Sequence, residues 1–199
     1  MVGKVDIRAI QDAILKKYAD VSGTATGKFN YPTGKEGAVL QGYDHAVLET
    51  IPDRLIESFC GVGNPFPLGA IDRGDVLLDV GCGAGFDLIV ASRLVGQNGK
   101  VCGIDLTPEM AEKAKNNLKQ YGVQNYDVRV AGAESIPYPD NTFDVVISNG
   151  VLNLSPLKEK SFREIYRVLV PKGCLQFADI VMKEDCLGAM CGTLEAWSD

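Results

Sequence analysis

Val76-Leu77-Leu78-Asp79-Val80 runs directly into Gly81-Cys82-Gly83-Ala84-Gly85, and this junction constrains the fold more than any other feature of the chain. Four aliphatic side chains in five suit a parallel strand buried on both faces, not an alternating strand with one wet face. Glycines at alternate positions then predict a turn whose backbone adopts conformations that side chains resist and comes close to a ligand. The apolar run after Gly85 predicts a helix over Phe86–Val95, with its N-terminal amides and positive dipole end facing the turn. A carboxylate or a phosphate fits there.

Strand and helix patterns alternate from residue 75 onward. The strands expected are Val76–Val80, Val101–Asp105, Tyr126–Ala131, Phe143–Ser148 and Cys174–Ile180, with helices near Phe86, Pro108 and Leu157. Such alternation predicts an α/β fold, a doubly wound parallel sheet with its ligand crevice at the carboxyl ends of the strands. The glycine turn, Asp105, Ala133-Glu134 and Asn149 all fall at such ends, so dispersed polar residues converge on one pocket.

The spacing of the turn separates two cofactor classes. Dinucleotide turns read G-x-G-x-x-G/A, whereas this one reads G-x-G-x-G with Phe86 after the last glycine, which disfavours a nicotinamide oxidoreductase. A carboxylate at Asp79 either anchors a positive amino group or organises the loop. S-adenosylmethionine carries that amino group, a carboxylate and a sulfonium. Asp105, twenty residues after Gly85, stands where an acid accepts hydrogen bonds from both ribose hydroxyls. Met110 either packs on an adenine face or simply fills the core.

With these residues in view, DVGCGAG, GIDLTPEM, AGAESIPYPDNTFDVVISN and REIYRVLVPKG, in that order, resemble the motifs of the class I S-adenosylmethionine-dependent methyltransferases, over about residues 75–180. The resemblance implies a Rossmann-like fold and S-adenosyl-L-methionine as cofactor. It also implies cofactor contacts from Asp79, Gly81, Cys82, Gly83, Gly85, Asp105, Leu106, Met110, Ala133, Glu134, Asn149 and Tyr43, the last as an aromatic shield for the sulfonium or as a core side chain. Ser148–Pro156 and the segment Ser58–Pro65 are similar to the arsenite methyltransferases in particular. That family carries a cysteine where this chain has Gly150, and Cys60 is a shifted match to a second one, a metalloid thiolate candidate; Cys186 or Cys191 would stand for a third. A soft trivalent metalloid wants several converging thiolates. The readings therefore remain a small-molecule methyltransferase of arsenite type, one for a quinone-like acceptor, or a cofactor-binding module without arsenite activity. No catalytic residue announces itself, and no metal site is complete.

The full class I architecture adds two further strands, so the sheet is expected to look truncated after the fifth, leaving an edge through which a second copy could pair as a homodimer. The domain division expected is 1–74, an N-terminal helix and lid or substrate segment, and 75–199, the cofactor-binding core. Ile7, Ile10, Ile14 and Tyr18 recur at helical spacing and predict a helix packed on the domain, followed by a Gly/Ser/Thr-rich loop over Val21–Gly37. His45, the sole histidine, reads as structural.

Composition limits the partners. A net charge of −6 without a clustered run of Lys and Arg argues against nucleic acid. No stretch is apolar enough to span a membrane, and the first twenty residues lack a signal-peptide core, which predicts a cytoplasmic protein with reduced cysteines.

Overall fold

The computed structural model describes residues 6–181; Cys186 and Cys191 lie outside the described residues. A five-stranded, all-parallel sheet runs in the order β3-β2-β1-β4-β5. Its strands are β1 (Val76–Val80), β2 (Lys100–Asp105), β3 (Tyr126–Val130), β4 (Phe143–Asn149) and β5 (Leu169–Ala178). Helices α5 (Phe86–Val95), α6 (Pro108–Tyr121) and α7 (Lys158–Val168) connect them, as the alternating pattern requires. Ahead of the sheet come α1 (Ile7–Val21) and the short helices α2 (Gly34–Leu40), α3 (His45–Leu48) and α4 (Asp53–Ile56).

The period of two in β1 divides the core. Leu77 packs with Leu88, Ile89 and Ala114 from α5 and α6, and with Leu55 and Ile56 from α4. Leu78 and Val80 point the other way and pack with Ile165 and Val168 of α7 and with Ile136 and Tyr138. Every strand of this sheet interior is covered on both faces, which is why β1 reads as a continuous apolar run.

Two expectations shift. The Gly/Ser/Thr-rich loop ends earlier than expected, because Gly34–Leu40 is helical and buries Gly37 and Ala38. The fifth strand starts at Leu169 and stops at Ala178, not at Ile180. Between Phe143↔Leu169 and Val145↔Cys174, β5 holds three residues more than β4, so it bulges. The bulge contains Pro171, which has no N–H for the ladder, and Lys172 at φ 73°. Among the described residues β5 pairs only with β4, leaving its outer edge free. Nearby, Phe162 of α7 meets Phe177 of β5 edge-on, and both are partly exposed.

Candidate active site

A cavity opens at the carboxyl ends of the strands, where ligands of open α/β sheets bind. Its floor is the turn after β1. Gly81, Gly83 and Gly85 take φ values of 77°, 50° and 85°, the left-handed region where a Cβ is strained. At Gly81 a Cβ would also collide with the Val151 side chain, so glycine is required there twice over. The Gly81 and Cys82 amides both donate to the Ile104 carbonyl, at 2.8 and 2.9 Å, which ties the turn to the end of β2.

Asp105 continues that tie. Its carboxylate accepts hydrogen bonds from the Gly83 amide at 2.9 Å, from the Thr107 amide at 2.8 Å and from the Thr107 side chain. A carboxylate has about four acceptor positions, so one stays open to a ligand hydroxyl, and Asp105 lines the cavity together with Leu106 and Thr107. Met110 is fully buried and lines the same wall. Ala133 and Glu134 close the far side, where the Ser155 hydroxyl donates to Glu134 Oε1 at 2.6 Å.

Beneath the floor, three carboxylates crowd together. Asp79 is 2 % exposed, and among the described residues no group donates a hydrogen bond to it. Burial, and then the charges of Asp87 and Asp105, push its carboxyl well above the usual carboxylate range. Asp87 rises to about 6 through burial, held back by hydrogen bonds from the Tyr43 hydroxyl at 2.7 Å and the Asn149 amide at 3.2 Å. Asp105 is raised by burial and restrained by the Thr107 and Gly83 amides. A buried acid without a donor, beside two others, is a place where a cationic ligand relieves both desolvation and repulsion. The donor set thus fits a ligand that carries an ammonium, a sulfonium and a ribose.

Several sequence candidates stand elsewhere. Tyr43 does not shield the cavity; it is 3 % exposed, packed against Phe59, Phe66 and Phe86, with its hydroxyl spent on Asp87. Its ring edges are engaged by three aromatics, and this packing outweighs any cation contact at the cavity. Cys82 turns its thiol back toward β2, within 2.8 Å of where a Gly103 Cβ would sit. Gly85 meets Ala114 of α6 and serves close helix packing, with no place in the cavity lining. Asp79 supports the floor from below and is not part of that lining. Asn149 does reach the lining, but its side chain is committed to the protein: Oδ1 accepts from the Val62 and Gly63 amides at 2.8 and 3.1 Å, and Nδ2 donates to the Gly63 carbonyl at 2.8 Å. His45 is exposed on α3, away from the site.

What the sequence pattern did not reveal is the roof. Gln11, Ile14 and Tyr18 of α1 line the cavity, joined by Cys60. Gly150, Val151 and Ser155 complete the wall after β4. The stripe Ile7, Ile10, Ile14, Tyr18 announced an amphipathic helix, but a stripe says nothing about whether it meets core or ligand. Cys60 is held by its carbonyl, which accepts from the Tyr31 hydroxyl at 3.0 Å. Burial first, then the Asp105 charge, pushes its thiol up to about 12, with Lys17 opposing, so at neutral pH it is a thiol and not a thiolate. Among the described residues no group of three or more His, Cys, Asp or Glu side chains is arranged to hold a metal ion.

The methyltransferase domain family model matches residues 71–198. The chain belongs to this family. The chain is 38 % identical over 162 residues to an arsenite methyltransferase of Halobacterium salinarum, covering 81 % of this chain and 41 % of that protein. It is 41 % identical over 107 residues to a ubiquinone/menaquinone biosynthesis C-methyltransferase of Escherichia fergusonii, covering 53 % of this chain and 42 % of that protein. Among solved structures, an arsenic (III) S-adenosylmethionine methyltransferase from Chlamydomonas reinhardtii superimposes with a TM-score of 0.56 at 35 % identity, over 75 % of this chain and 50 % of that one. The chain spans about two fifths of the length of the curated relatives it matches. Among the described residues no helix of this methyltransferase domain is long and apolar enough to cross a membrane.

Proposed function

We propose that this chain binds S-adenosyl-L-methionine in the cavity above Asp79 and transfers its methyl group to a small-molecule acceptor. The observation that carries the reading is that the glycine turn and Asp105 line one cavity at the carboxyl ends of the strands, with the buried Asp79 close behind them. Asp105 and Leu106 would hold the ribose, Met110, Ala133 and Glu134 the adenine, and the turn after β1 the methionine end. The cofactor supplies a sulfonium methyl that is already activated. The protein's own task is to hold a nucleophile in line with it and to exclude water, a task for α1 and the Cys60 segment. Among the described residues the carboxylates of the lining, Asp105 and Glu134, are both assigned to the cofactor, which favours acceptors that are soft or ionised before they bind.

The acceptor reading divides in two. Arsenite is supported by the names of the relatives from Halobacterium salinarum and Chlamydomonas reinhardtii. A quinone-like ring carbon is supported by the Escherichia fergusonii relative and by Gly150, which holds φ 72° with Val62 at 3.3 Å from where its Cβ would lie. We infer a protein of the cytoplasm, in keeping with four free cysteines among the described residues, and acting without nucleic acid, in keeping with its net charge of −6. Pairing of two copies across the free edge of β5 is part of the same proposal. The domain division into 1–74, a covering segment, and 75–199, the cofactor-binding core, is proposed on the same basis.

Calorimetry with S-adenosylhomocysteine tests the cofactor. Micromolar binding, weakened at least about tenfold in Asp105→Ala and Asp79→Ala, is expected; undiminished binding in both variants would refute the site. Methyl transfer to arsenite with glutathione, measured beside transfer to a naphthoquinol, then decides between the acceptors.

A further inference from the structure

Helix α1 reaches the cavity with Gln11, Ile14 and Tyr18, yet what fastens it there comes from another part of the chain. Its N-terminus is capped locally, Asp6 accepting from the Arg8 amide at 3.0 Å, but its last turn contains no basic residue to meet the negative end of the helix dipole. That role falls to Lys113 of α6. Its ammonium donates to the Ser22 carbonyl at 2.6 Å, to the Gly23 carbonyl at 3.3 Å and to the Ser58 hydroxyl at 2.6 Å. Ser58, 3 % exposed, donates in turn to the Ser22 carbonyl at 3.2 Å. One side chain therefore joins the end of α1 and the segment carrying Cys60 to a helix that packs on the sheet. Both joined pieces line the cavity, and α6 itself contributes Met110 to it.

We propose that Lys113 is a positioning residue for cofactor retention: by capping the carboxyl end of α1 from α6, it holds Gln11, Ile14, Tyr18 and Cys60 as a closing wall over the bound cofactor. The inference rests on the cofactor reading above. Lys113 touches neither the turn after β1 nor Asp105 and acts only through the wall. Three charge-assisted bonds to one wall make this a stronger attachment than a surface lysine provides. A lysine two positions on, Lys115, pairs only with the exposed Glu112 at 3.9 Å and serves as an internal control.

Two measurements test the proposal on the full chain. Hydrogen exchange without ligand should show the amides of α1 exchanging about tenfold faster in Lys113→Met than in wild type, with α5 and β1 unchanged; Lys113→Arg and Lys115→Met should match wild type. Stopped-flow release of S-adenosylhomocysteine should accelerate by about the same factor in Lys113→Met, with Lys113→Arg restoring it. Tenfold corresponds to ~1.4 kcal/mol. Unaltered exchange of α1 in Lys113→Met overturns the clasp. Faster exchange with unaltered release overturns its role in retention. A wild type that fails to bind S-adenosylhomocysteine refutes the cofactor reading instead, and the exchange arm still decides whether Lys113 holds the wall.

Discussion

Removing the Asn149 side chain should cost this fold about 3 kcal/mol, out of proportion to its size. Asn149→Ala withdraws the acceptor from the Val62 and Gly63 amides and the donor from the Gly63 carbonyl, Tyr43 Oη and Asp87 Oδ2. Each buried polar group left without a partner costs ~1–3 kcal/mol, and two backbone amides are stranded at once. Water entering the space beside Gly61 returns part of that, so ~3 kcal/mol is the net expected, against a typical total of ~5–15 kcal/mol for a domain. At ~2–4 °C per kcal/mol for a chain of this size, the thermal midpoint should fall by roughly 6–12 °C. Urea unfolding followed by tyrosine fluorescence and by circular dichroism gives the free energy, and both probes must agree for the value to stand. Because Asn149 and Asp87 share one network, Asn149→Ala combined with Asp87→Ala should cost less than the two single changes together. A loss below ~0.5 kcal/mol in Asn149→Ala, or strict additivity with Asp87→Ala, would refute the view that this side chain clamps residues 61–63 to β4.

Other outcomes follow from the same groups. Asp79 and Asp87 have folded-state affinities for protons raised above the unfolded value, so the folded state binds more protons; stability without cofactor should be greatest below about pH 4 as far as these two are concerned and should decline as pH rises, for Asp87 through about 6, a slope that Asp87→Asn flattens in urea titrations. Saturating S-adenosylhomocysteine should reduce that decline, because its ammonium offsets the carboxylates; a cofactor-independent slope would contradict the placement of the charge. Gly81→Ala should abolish cofactor binding and lower stability by ~1–2 kcal/mol for the left-handed backbone alone, with the Val151 collision adding to it. Cys60, with its thiol pushed up to about 12, should alkylate with iodoacetamide at pH 8 about a hundredfold more slowly than the exposed Cys174, read by peptide mass mapping; equal rates would refute the burial of the Cys60 thiol.

The strand–turn–helix over Val76–Val95, the parallel order implied by its continuous apolar run and the acid at Asp105 were legible along the chain because each is a short-range pattern. A buried strand, a left-handed glycine turn and an acid at the end of the next strand are all dictated by residues within thirty positions of one another. Tertiary structure alone decided the rest. Tyr43 and Asp87 are 44 positions apart, and their pairing places the ring in the core, one of the two positions open to it in the sequence. Asn149 meets the Val62 amide across 87 positions, and Lys113 meets Ser22 across 91. An apolar stripe on α1 has the same period whether it faces a core or a cavity, since side-chain spacing records that a face is covered and not what covers it. The Cys60 thiol likewise owes its protonation to burial and to Asp105, neither of which is written in its neighbours along the chain.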